Sequence, residues 1–330
     1  MGKPVARMNA TTLAVRVKSV TYEAERVNSY ELRPLAGGEL PPFTAGAHID
    51  LKLPGVTKGM SRSYSLINPQ GERHRYVIAV AKDAVSKGGS RFIHERLRAG
   101  DILEITPPQN NFALREDATH SVLIAGGIGI TPIWCMVQRL VELGRSWELH
   151  YSARTHQAAA FLEPIAVLQA AHPSRVVLNF DFESGGKPMD LAATVNRATG
   201  DDHLYCCGPT GMLDAFERAT QERPRNRVHV EYFFAKDEQA RGGGYTVVLA
   251  KSNVRVFVAQ GETILDALRG AGIDAPFSCT EGVCGTCEMR VLEGVPDHRD
   301  MVLTDAERAA NKSLMICCSG AKSEMLVLDW

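Results

Sequence analysis

The chain has 330 residues, of which 45% are hydrophobic and 23% charged, a balance typical of folded globular proteins rather than of disordered or fibrous ones. Its length exceeds what one ordinary core occupies and predicts two or three domains. Because the formal net charge is −1 and no block of Lys and Arg occurs, the composition argues against nucleic acid as a partner.

Neither the N-terminus nor the longest uncharged run predicts a membrane or secretory segment. Residues 1–20 lack the uninterrupted apolar stretch of a signal peptide. Residues 121–138 carry no charge but contain three glycines and Pro132, which indicates a buried strand and turn rather than a membrane span. We therefore expect a cytoplasmic protein without a membrane partner. Thiols stay reduced in that compartment, which argues against disulfides.

The first part of the chain alternates apolar and polar residues over short stretches separated by Gly and Pro. The stretches that predict strands are residues 13–24, 48–53, 75–82 and 101–108. Residues 91–100 have a helical pattern. Several short strands at this spacing with one helix predict a small β-barrel over residues 10–112.

The pattern then changes to strands that alternate with helices. Predicted strands lie at residues 121–127, 147–153, 175–181 and 203–208, and predicted helices at residues 132–144, 158–171, 190–198 and 210–222. This alternation predicts a parallel sheet with helical crossovers, which ends near residues 227–234.

A third unit follows a polar segment, residues 235–244, whose three terminal glycines indicate a flexible linker. Residues 245–260 alternate like a hairpin, residues 262–272 resemble a helix closed by glycine, and residues 324–329 resemble a last strand. These patterns predict a small domain with both strands and a helix.

Five cysteines in this last unit have a spacing typical of a metal site: Cys279, Cys284, Cys287, Cys317 and Cys318. The first three follow C-x4-C-x2-C, the plant-type pattern of a [2Fe–2S] cluster, whose fourth thiolate comes from a distant strand. Zinc sites usually pair C-x2-C with another C-x2-C or with histidines, and neither lies near this loop. Gly282 and Gly285 suit a backbone that wraps closely around sulfide. The spacing favours the cluster over zinc or inert buried cysteines and leaves Cys317 and Cys318 as alternative fourth ligands.

Glycines also precede two of the predicted helices. In the barrel, Gly89 and Ser90 open a helix, whose amides and positive dipole end predict a phosphate site. A helix cap by Ser90 is the alternative. In the second domain, residues 126–129 read G-G-I-G directly after a strand, but Thr131-Pro132 replaces the end of the Rossmann fingerprint.

With these motifs in this order, the chain resembles the phthalate dioxygenase reductase family over essentially its whole length. The resemblance implies a multidomain fold of α/β and β type. Its parts are a flavin-binding Greek-key β-barrel at residues 10–112, a doubly wound parallel-sheet nicotinamide domain at 113–234, a linker at 235–244, and a C-terminal β-grasp plant-type ferredoxin domain at 245–330. It also favours Cys317 as the fourth cluster ligand.

The segment R-S-Y-S at residues 62–65 is similar to the flavin motif of the wider ferredoxin reductase superfamily. Tyr64 can pack beside the isoalloxazine, Ser65 can hydrogen-bond near N5, and Arg62 can pair with phosphate. Taken alone, the motif also fits an ordinary strand. The flavin-binding residues that the resemblance implies are Arg62, Ser63, Tyr64, Ser65, Ala79, Ala81, Lys82, Lys87, Gly88, Gly89, Ser90, Thr131 and Phe233.

The flavin should be FMN rather than FAD, because residues 67–74 leave little room for an aromatic platform under an adenine and this branch of the superfamily uses FMN. Phe233 occupies the position of the aromatic residue that covers the flavin in the family. A core phenylalanine on a last strand is its alternative.

The run G-G-x-G-x-T-P and the later C-G-P-x-x-M resemble the two turns that flank the nicotinamide in this family, at the carboxyl edge of the sheet. The implied nicotinamide-binding residues are Gly126, Gly127, Gly129, Thr131, Pro132, Arg154, Cys207, Gly208, Pro209 and Met212. Cys207 also fits a small buried residue. Arg154 lies near the expected 2′-phosphate position of NADPH, but one arginine is not a clamp, and the resemblance implies NADH.

The resemblance implies an NADH-dependent reductase component of an oxygenase system, with electrons passing from NADH to FMN, to [2Fe–2S] and to a terminal Rieske non-haem iron oxygenase of the aromatic dioxygenase or O-demethylase type. A flavin connects two-electron hydride transfer with one-electron transfer, so the cofactors supply the chemistry and no catalytic side chain is expected. A cytochrome P450 acceptor is the alternative. A non-catalytic redox sensor or zinc-binding interaction module is the alternative of a different class.

We expect a monomer that docks its oxygenase transiently near the cluster loop, residues 281–285. His94, His203 and His229 lie in separate motifs, and the sequence assigns them no role.

Overall fold

The computed structural model describes residues 12–53, 61–83, 88–183, 185–233 and 238–330. The chain divides into two compact units, Met1–Glu231 and Tyr232–Trp330. Within the described ranges, every helix is too short or too polar to span a bilayer.

The first unit begins with the predicted barrel. Its elements are β1 (Leu13–Ala24), β2 (Val27–Pro34), β3 (His48–Lys52), β4 (Ser61–Ser65), β5 (Tyr76–Ala81), α1 (Gly89–Arg96) and β6 (Ile102–Ile105). The strands form an antiparallel sheet in the order β4-β3-β6-β1-β2-β5. A bridge between Leu66 and Ile78 joins the two edges of this sheet and closes it into a barrel. Val15, Val17 and Leu32 are fully buried, because alternate residues of each strand face the barrel interior.

A parallel sheet with helices forms the rest of the first unit. Its elements are β7 (His120–Gly126), α2 (Ile130–Glu142), β8 (Ser146–Ala153), α3 (Leu162–Ala171), β9 (Val176–Phe180), α4 (Leu191–Arg197), β10 (His203–Cys207), α5 (Thr210–Ala219) and β11 (Val228–Glu231). All the neighbouring strands pair in parallel, in the order β11-β10-β7-β8-β9. The strand order reverses between β7 and β10, which makes their carboxyl ends the expected ligand edge.

Helix α2 packs the parallel sheet against the barrel. The Cys135 thiol donates to the carbonyl of Asn68 at 3.3 Å, and Gln138 Nε2 donates to the carbonyl of Ile67 at 2.8 Å. Because these bonds join α2 to the end of the barrel that follows β4, they hold the turn after β7 close to the predicted flavin motif.

The second unit is a mixed sheet around one main helix. Its elements are β12 (Tyr245–Leu249), β13 (Val254–Val258), α6 (Ile264–Gly270), β14 (Glu288–Glu293), β15 (Pro296–Asp297), α7 (Asp305–Ala310), β16 (Ser313–Met315), β17 (Gly320–Ala321) and β18 (Met325–Leu328). The main sheet has the order β13-β12-β18-β14-β16, with β12 and β18 parallel. Helix α6 begins with a capping box between Thr263 and Asp266 and buries Ile264, Leu265 and Leu268. A sheet clasping one helix is the predicted β-grasp arrangement.

The limits of the predicted domains and of the linker stay predictions, and residues 234–237 of this region lie outside the described residues. The segment that follows them is bonded to the second unit. Ala240 N donates to the carbonyl of Cys318 at 2.7 Å, and Gly244 N donates to that of Val258 at 2.9 Å. Gly243 has a φ of +61°, and a Cβ there would lie 2.3 Å from the backbone of Ala259. Residues 240–244 therefore pack on the second unit.

Candidate functional site

Four thiols that the sequence predicts as cluster ligands lie together in the second unit. Hydrogen bonds with Cys284 and then Cys317 lower the pKa of Cys279. Contact with Cys279, and then with Cys287, raises the pKa of Cys317. Cys279, Cys287 and Cys317 are buried, whereas Cys284 is partly exposed. The group is therefore enclosed by protein and opens toward solvent at Cys284.

These thiols provide the donor set of a [2Fe–2S] cluster. Such a cluster takes four cysteine thiolates, two on each iron. Cys279 contacts Cys284 and Cys317, and Cys317 also contacts Cys287, so the residues present fit this group.

Cys318, the alternative fourth ligand, occupies a different position. It is fully buried, and its Sγ lies 3.7 Å from the carbonyl oxygen of Met315. Gly282 lies directly over it with a φ of +72°, and a Cβ at Gly282 would lie 2.5 Å from that sulfur. Cys318 thus packs against Gly282 of the cluster loop, while Cys317 contacts the other thiols. The geometry therefore favours Cys317 as the fourth ligand.

A backbone amide also points at this group. Glu281 N donates to Cys279 Sγ at 3.3 Å, a bond that favours the thiolate form required for iron. Thr280, between them, has a positive φ of 56°. This local turn brings the amide back toward the sulfur.

The predicted flavin motif lies on β4, next to the start of α1. Arg62 extends over the first turn of the helix, where a Cβ at Gly89 would lie 2.8 Å from Arg62 Cγ. The residue before the helix, Gly88, has a φ of 106°, and no side chain caps the helix. Ser90 is therefore not a cap, and its Oγ accepts a bond from Asp83 N at 3.3 Å. A guanidinium and the positive end of a helix meet here, which suits a phosphate group.

Other predicted flavin residues on β4 and directly after β5 have different contacts. Ser63 donates to the buried carboxylate of Asp50 at 2.6 Å, and Ser65 is buried. Burial raises the pKa of Tyr64, so its hydroxyl stays protonated. Lys82 Nζ forms an ion pair with Glu95 of α1 at 2.9 Å.

Five predicted flavin residues remain, and one of them, Thr131, lies in the first turn of α2. Ala79 and Ala81 lie on β5, which pairs with β2. Lys87 lies outside the described residues. Phe233 is half-buried and follows β11 by two residues, and its role stays a prediction.

The two predicted nicotinamide turns contact each other at the carboxyl ends of β7 and β10. A Cβ at Gly129 would lie 2.2 Å from the carbonyl oxygen of Cys207. A Cβ at Gly126 would lie 2.7 Å from Met212 Sδ and from Pro209 Cδ, so both glycines are needed for this approach. The structure therefore brings together motifs that are about eighty residues apart in the sequence, at the edge where parallel sheets bind ligands.

The first turn leads directly into α2. Gly127 has a positive φ of 54°. Thr131 and Pro132 are buried in the first turn of the helix, and Thr131 Oγ1 donates to the carbonyl of Ile128 at 2.9 Å. Gly208 packs against Met212, whose Sδ would lie 2.8 Å from a Cβ at that position. The helix begins two residues earlier than predicted, because Ile130 already has helical dihedral angles.

Arg154 follows β8 at the same edge of the sheet and is exposed. Its guanidinium lies over the ring of Phe182, 5.9 Å from the ring centroid. Asp181 Oδ1 accepts from Ser152 at 2.7 Å, and Glu183 Oε1 accepts from the amide of His156 at 2.5 Å. Two carboxylates therefore lie in the segment beside the single arginine.

Glu231 is a candidate functional residue that the sequence analysis missed. It ends β11 and pairs in register with Cys207, whose thiol is hydrogen-bonded to it. Although the residue as a whole is partly exposed, its Oε2 is buried without a hydrogen-bond partner among the described residues. Burial raises the pKa of Glu231 to about 8, so the carboxyl is largely neutral at pH 7. In the sequence, a glutamate at the end of a strand that contains two valines gives no indication that its carboxyl group is buried.

Two of the histidines without an assigned role are not scattered in space. His203 Nδ1 and His229 Nε2 are 2.9 Å apart on neighbouring strands, and both rings stack with Tyr205. Burial, followed by the charge of His203, lowers the pKa of His229 to about 4. His94 lies elsewhere, with Nε2 at 2.8 Å from the carbonyl of Val80. The parallel pairing of β10 with β11 produces this pair, and it is not visible in the spacing.

Comparison with known proteins identifies the second and third of the three predicted domains. Residues 247–322 match the 2Fe-2S iron-sulfur cluster binding domain, and residues 123–218 match the oxidoreductase NAD-binding domain. The chain is 52% identical to tetrachlorobenzoquinone reductase of Sphingobium chlorophenolicum, over 97% of this chain and 98% of that protein. It is 51% identical to phenoxybenzoate dioxygenase subunit beta of Ectopseudomonas oleovorans, over 96% of this chain and 97% of that protein.

A solved structure matches the same length of chain. Phthalate dioxygenase reductase superimposes with a TM-score of 0.76 at 37% identity, and the match covers 97% of this chain and 98% of that one. The chain belongs to the phthalate dioxygenase reductase family. Membership of this family confirms the predicted fold of flavin barrel, parallel-sheet nicotinamide domain and ferredoxin domain. It also confirms an oxidoreductase of the oxygenase-reductase class, rather than a non-catalytic sensor or a zinc module.

Proposed function

We propose that this member of the family uses NADH, FMN and a [2Fe–2S] cluster to deliver electrons to a terminal Rieske non-haem iron oxygenase of the aromatic dioxygenase or O-demethylase type. The supporting observation is that one chain holds three separate sites of the required chemistry: a phosphate-binding helix start beside an R-x-Y-S strand, two touching glycine turns at a sheet edge, and four clustered thiols. When bound, the flavin accepts the two electrons of a hydride and releases them singly to the cluster.

The residues of the chain bind and orient these groups rather than perform acid–base steps. Arg62 and the start of α1 hold phosphate, and the Tyr64 ring lies on the same strand face as Arg62. The paired turns after β7 and β10 bind the dinucleotide, and Gly126 and Gly129 allow these turns to approach each other because they have no Cβ. The buried thiols keep bulk water from most of the cluster.

FMN is proposed rather than FAD because of the segment that follows β4. Residues 67–74 contain no Phe, Tyr or Trp on which an adenine could stack. Asn68 holds this segment against the barrel, since its Oδ1 accepts from Val77 N at 2.9 Å and its Nδ2 donates to the carbonyl of Arg75 at 3.3 Å. An added adenine platform would have to break these bonds.

NADH is proposed rather than NADPH because of the charges after β8 and β9. A 2′-phosphate requires positive charge, and Arg154 is the one candidate that the sequence offers for it. The guanidinium of Arg154 already lies over the ring of Phe182. The residues before and after Phe182 in the chain are Asp181 and Glu183, which both carry carboxylates. Their charge disfavours a phosphate dianion at this edge.

The oxygenase is proposed to dock near residues 281–285. Cys284 is the one partly exposed thiol among the four predicted ligands, so a partner at this loop comes nearest to the cluster. A transient contact suits turnover, and we propose a monomer that binds its partner weakly.

The full-length protein provides the test. We expect visible absorption from both a flavin and a [2Fe–2S] cluster, bleaching of both by NADH, and reduction of a purified Rieske oxygenase. If a cytochrome P450 is reduced faster than the Rieske oxygenase in the same assay, the result would support a P450 as the partner. The Cys287→Ser variant should retain NADH-dependent flavin reduction and lose oxygenase reduction. A colourless zinc protein, or full oxygenase reduction by the variant, would contradict the proposal.

A further inference from the structure

The side-chain amide of Gln239 makes four hydrogen bonds next to the cysteine loop. Its Nε2 donates to the carbonyl of Thr280 at 2.8 Å and to the carbonyl of Cys317 at 3.0 Å. Its Oε1 accepts from Arg241 Nε at 3.1 Å and Nη2 at 2.7 Å. A primary amide has two donor hydrogens and two acceptor lone pairs, so the group is fully used.

The two carbonyls that Gln239 binds belong to different parts of the ligand set. Thr280 directly follows Cys279 in the loop of three cysteines, whereas Cys317 lies on the segment after β16 that supplies the fourth thiol. One nitrogen atom therefore ties both segments together. The neighbouring residue adds a second tie, because Ala240 N donates to the carbonyl of Cys318 at 2.7 Å.

Arg241 determines which way the amide faces. A guanidinium has donors and no acceptor, so it must face Oε1 and thereby directs Nε2 toward the two carbonyls. Arg241 is itself held, since its Nη1 donates to the carbonyl of Gly261 at 2.5 Å and lies 3.5 Å from Asp266 Oδ2 in the capping box of α6. The contacts form a chain from the start of α6 through Arg241 and Gln239 to the thiol group.

We propose that Gln239 is a positioning residue for the [2Fe–2S] site, which sets the separation between the cysteine loop and the Cys317 segment. It lies in the segment by which the chain enters the second unit, so the environment of the cluster depends on how that segment is seated. The inference rests on the proposed function in that the cluster must be bound. Donation to two carbonyls beside the ligands also withdraws negative charge from the site, which favours the reduced cluster.

The test uses the full-length protein with its cofactors and the variants Gln239→Ala and Gln239→Glu. Gln260→Glu is the matched control, because Gln260 is exposed on the same unit and the change in charge is identical. The measurements are the electron paramagnetic resonance spectrum of the reduced cluster, its midpoint potential and the rate of iron loss to a chelator.

We expect both Gln239 variants to have altered g values and about tenfold faster iron loss, a factor that corresponds to about 1.4 kcal/mol. Gln239→Glu should also have the lowest potential, because its carboxylate faces two carbonyl oxygens. Arg241→Met keeps Gln239 but frees its orientation, and it should shift the spectrum in the same direction by a smaller amount. If the Gln239 variants do not fold, the spectrum of Arg241→Met tests the proposal instead.

Unchanged spectra, potentials and iron-loss rates in the Gln239 and Arg241 variants would overturn the positioning role. That result would leave the proposed function intact, provided that the wild-type protein contains a cluster reduced by NADH. Absence of a cluster from the wild-type protein would instead overturn the proposed function itself.

Discussion

At the scale of single residues, the choice between Cys317 and Cys318 depends on which way each thiol points. Cys317 contacts Cys279 and Cys287, while Cys318 lies beneath Gly282 and beside the carbonyl of Met315. Both cysteines lie in the turn after β16, where Cys318 N and Ser319 N donate to the carbonyl of Met315 at 3.2 and 2.9 Å, and this turn gives the two side chains different surroundings.

This orientation makes the two cysteines behave differently when replaced. Cys317→Ser should abolish the iron–sulfur absorption, because a ligand is lost. Cys318→Ala should retain the absorption and lower the free energy of unfolding by about 1–2 kcal/mol for the lost buried sulfur. Iron content and the visible spectrum of both purified variants check this, and loss of the cluster from Cys318→Ala alone would reverse the assignment.

Glu231 leads to a second residue-scale prediction, on stability and pH. Its pKa is raised from the ordinary 4.5 to about 8 by burial, so the folded protein keeps a proton there that the unfolded chain releases above about pH 4.5. Its contribution to stability is therefore fully present below about pH 4.5 and is lost as pH rises through about 8. Glu231→Gln, which is always neutral, should remove this loss and be more stable by a few kcal/mol at pH 8.5 than the wild-type protein.

Denaturant unfolding of the wild-type protein and Glu231→Gln between pH 5 and pH 8.5 measures this difference. Glu163→Gln, at an exposed position on α3, is the control and should show the wild-type pH dependence. Parallel curves for Glu231→Gln and the wild-type protein would show that the carboxyl titrates in its ordinary range.

At the scale of elements, the two turns of the proposed nicotinamide site, after β7 and β10, contact each other closely. Parallel pairing of these strands places Gly126 of the first turn beside Gly208 and Pro209 of the second. The approach is so close that no side chain fits at Gly129.

A single methyl group should therefore separate the two turns. Gly129→Ala would place a Cβ 2.2 Å from the Cys207 carbonyl oxygen, and we expect flavin reduction at limiting NADH to slow about tenfold to hundredfold. Gly211→Ala is the matched control, because nothing lies within 4 Å of a Cβ there in α5. Stopped-flow reduction of both variants provides the measurement, with flavin content expected to equal that of the wild-type protein. Equal rates in the two variants would contradict the prediction.

At the scale of the whole molecule, the chain separates two kinds of electron transfer into two compact units. The barrel and parallel sheet belong to Met1–Glu231, and the thiol group belongs to Tyr232–Trp330. Each unit has its own buried core, since Tyr30 and Leu149 are fully buried in the first and Val247 and Leu314 in the second.

Removal of most of the second unit should therefore divide the activity. Deletion of residues 245–330 should leave NADH-dependent reduction of ferricyanide and abolish reduction of cytochrome c, because one-electron transfer to a protein requires the cluster. Full-length Cys287→Ser should lose the same activity without a deletion, and it controls for misfolding. Reduction of cytochrome c at the wild-type rate by the truncated protein would show that the order of carriers is wrong.

The sequence predicted most of the large elements and missed those whose signals are weak. Strand β2 was missed because Arg26, with a φ of 64°, makes the turn before it without the expected glycine. The two-residue strands β15 and β17 are too short for an alternating pattern to appear. Helix α7 has no buried residue and therefore no apolar face.

The sequence alone determined the order of the three folds, and the resemblance that its motifs carry implied the chemistry of each. Hydrophobic period, glycine turns and cysteine spacing are local properties, and each acts over a few neighbouring residues. The tertiary structure alone decided the pairing of Glu231 with Cys207, the contact of Cys317 with Cys279 and Cys287, and the position of the Gln239 amide between two ligand segments. These depend on strand register and on contacts between residues far apart in the chain, which no local pattern encodes.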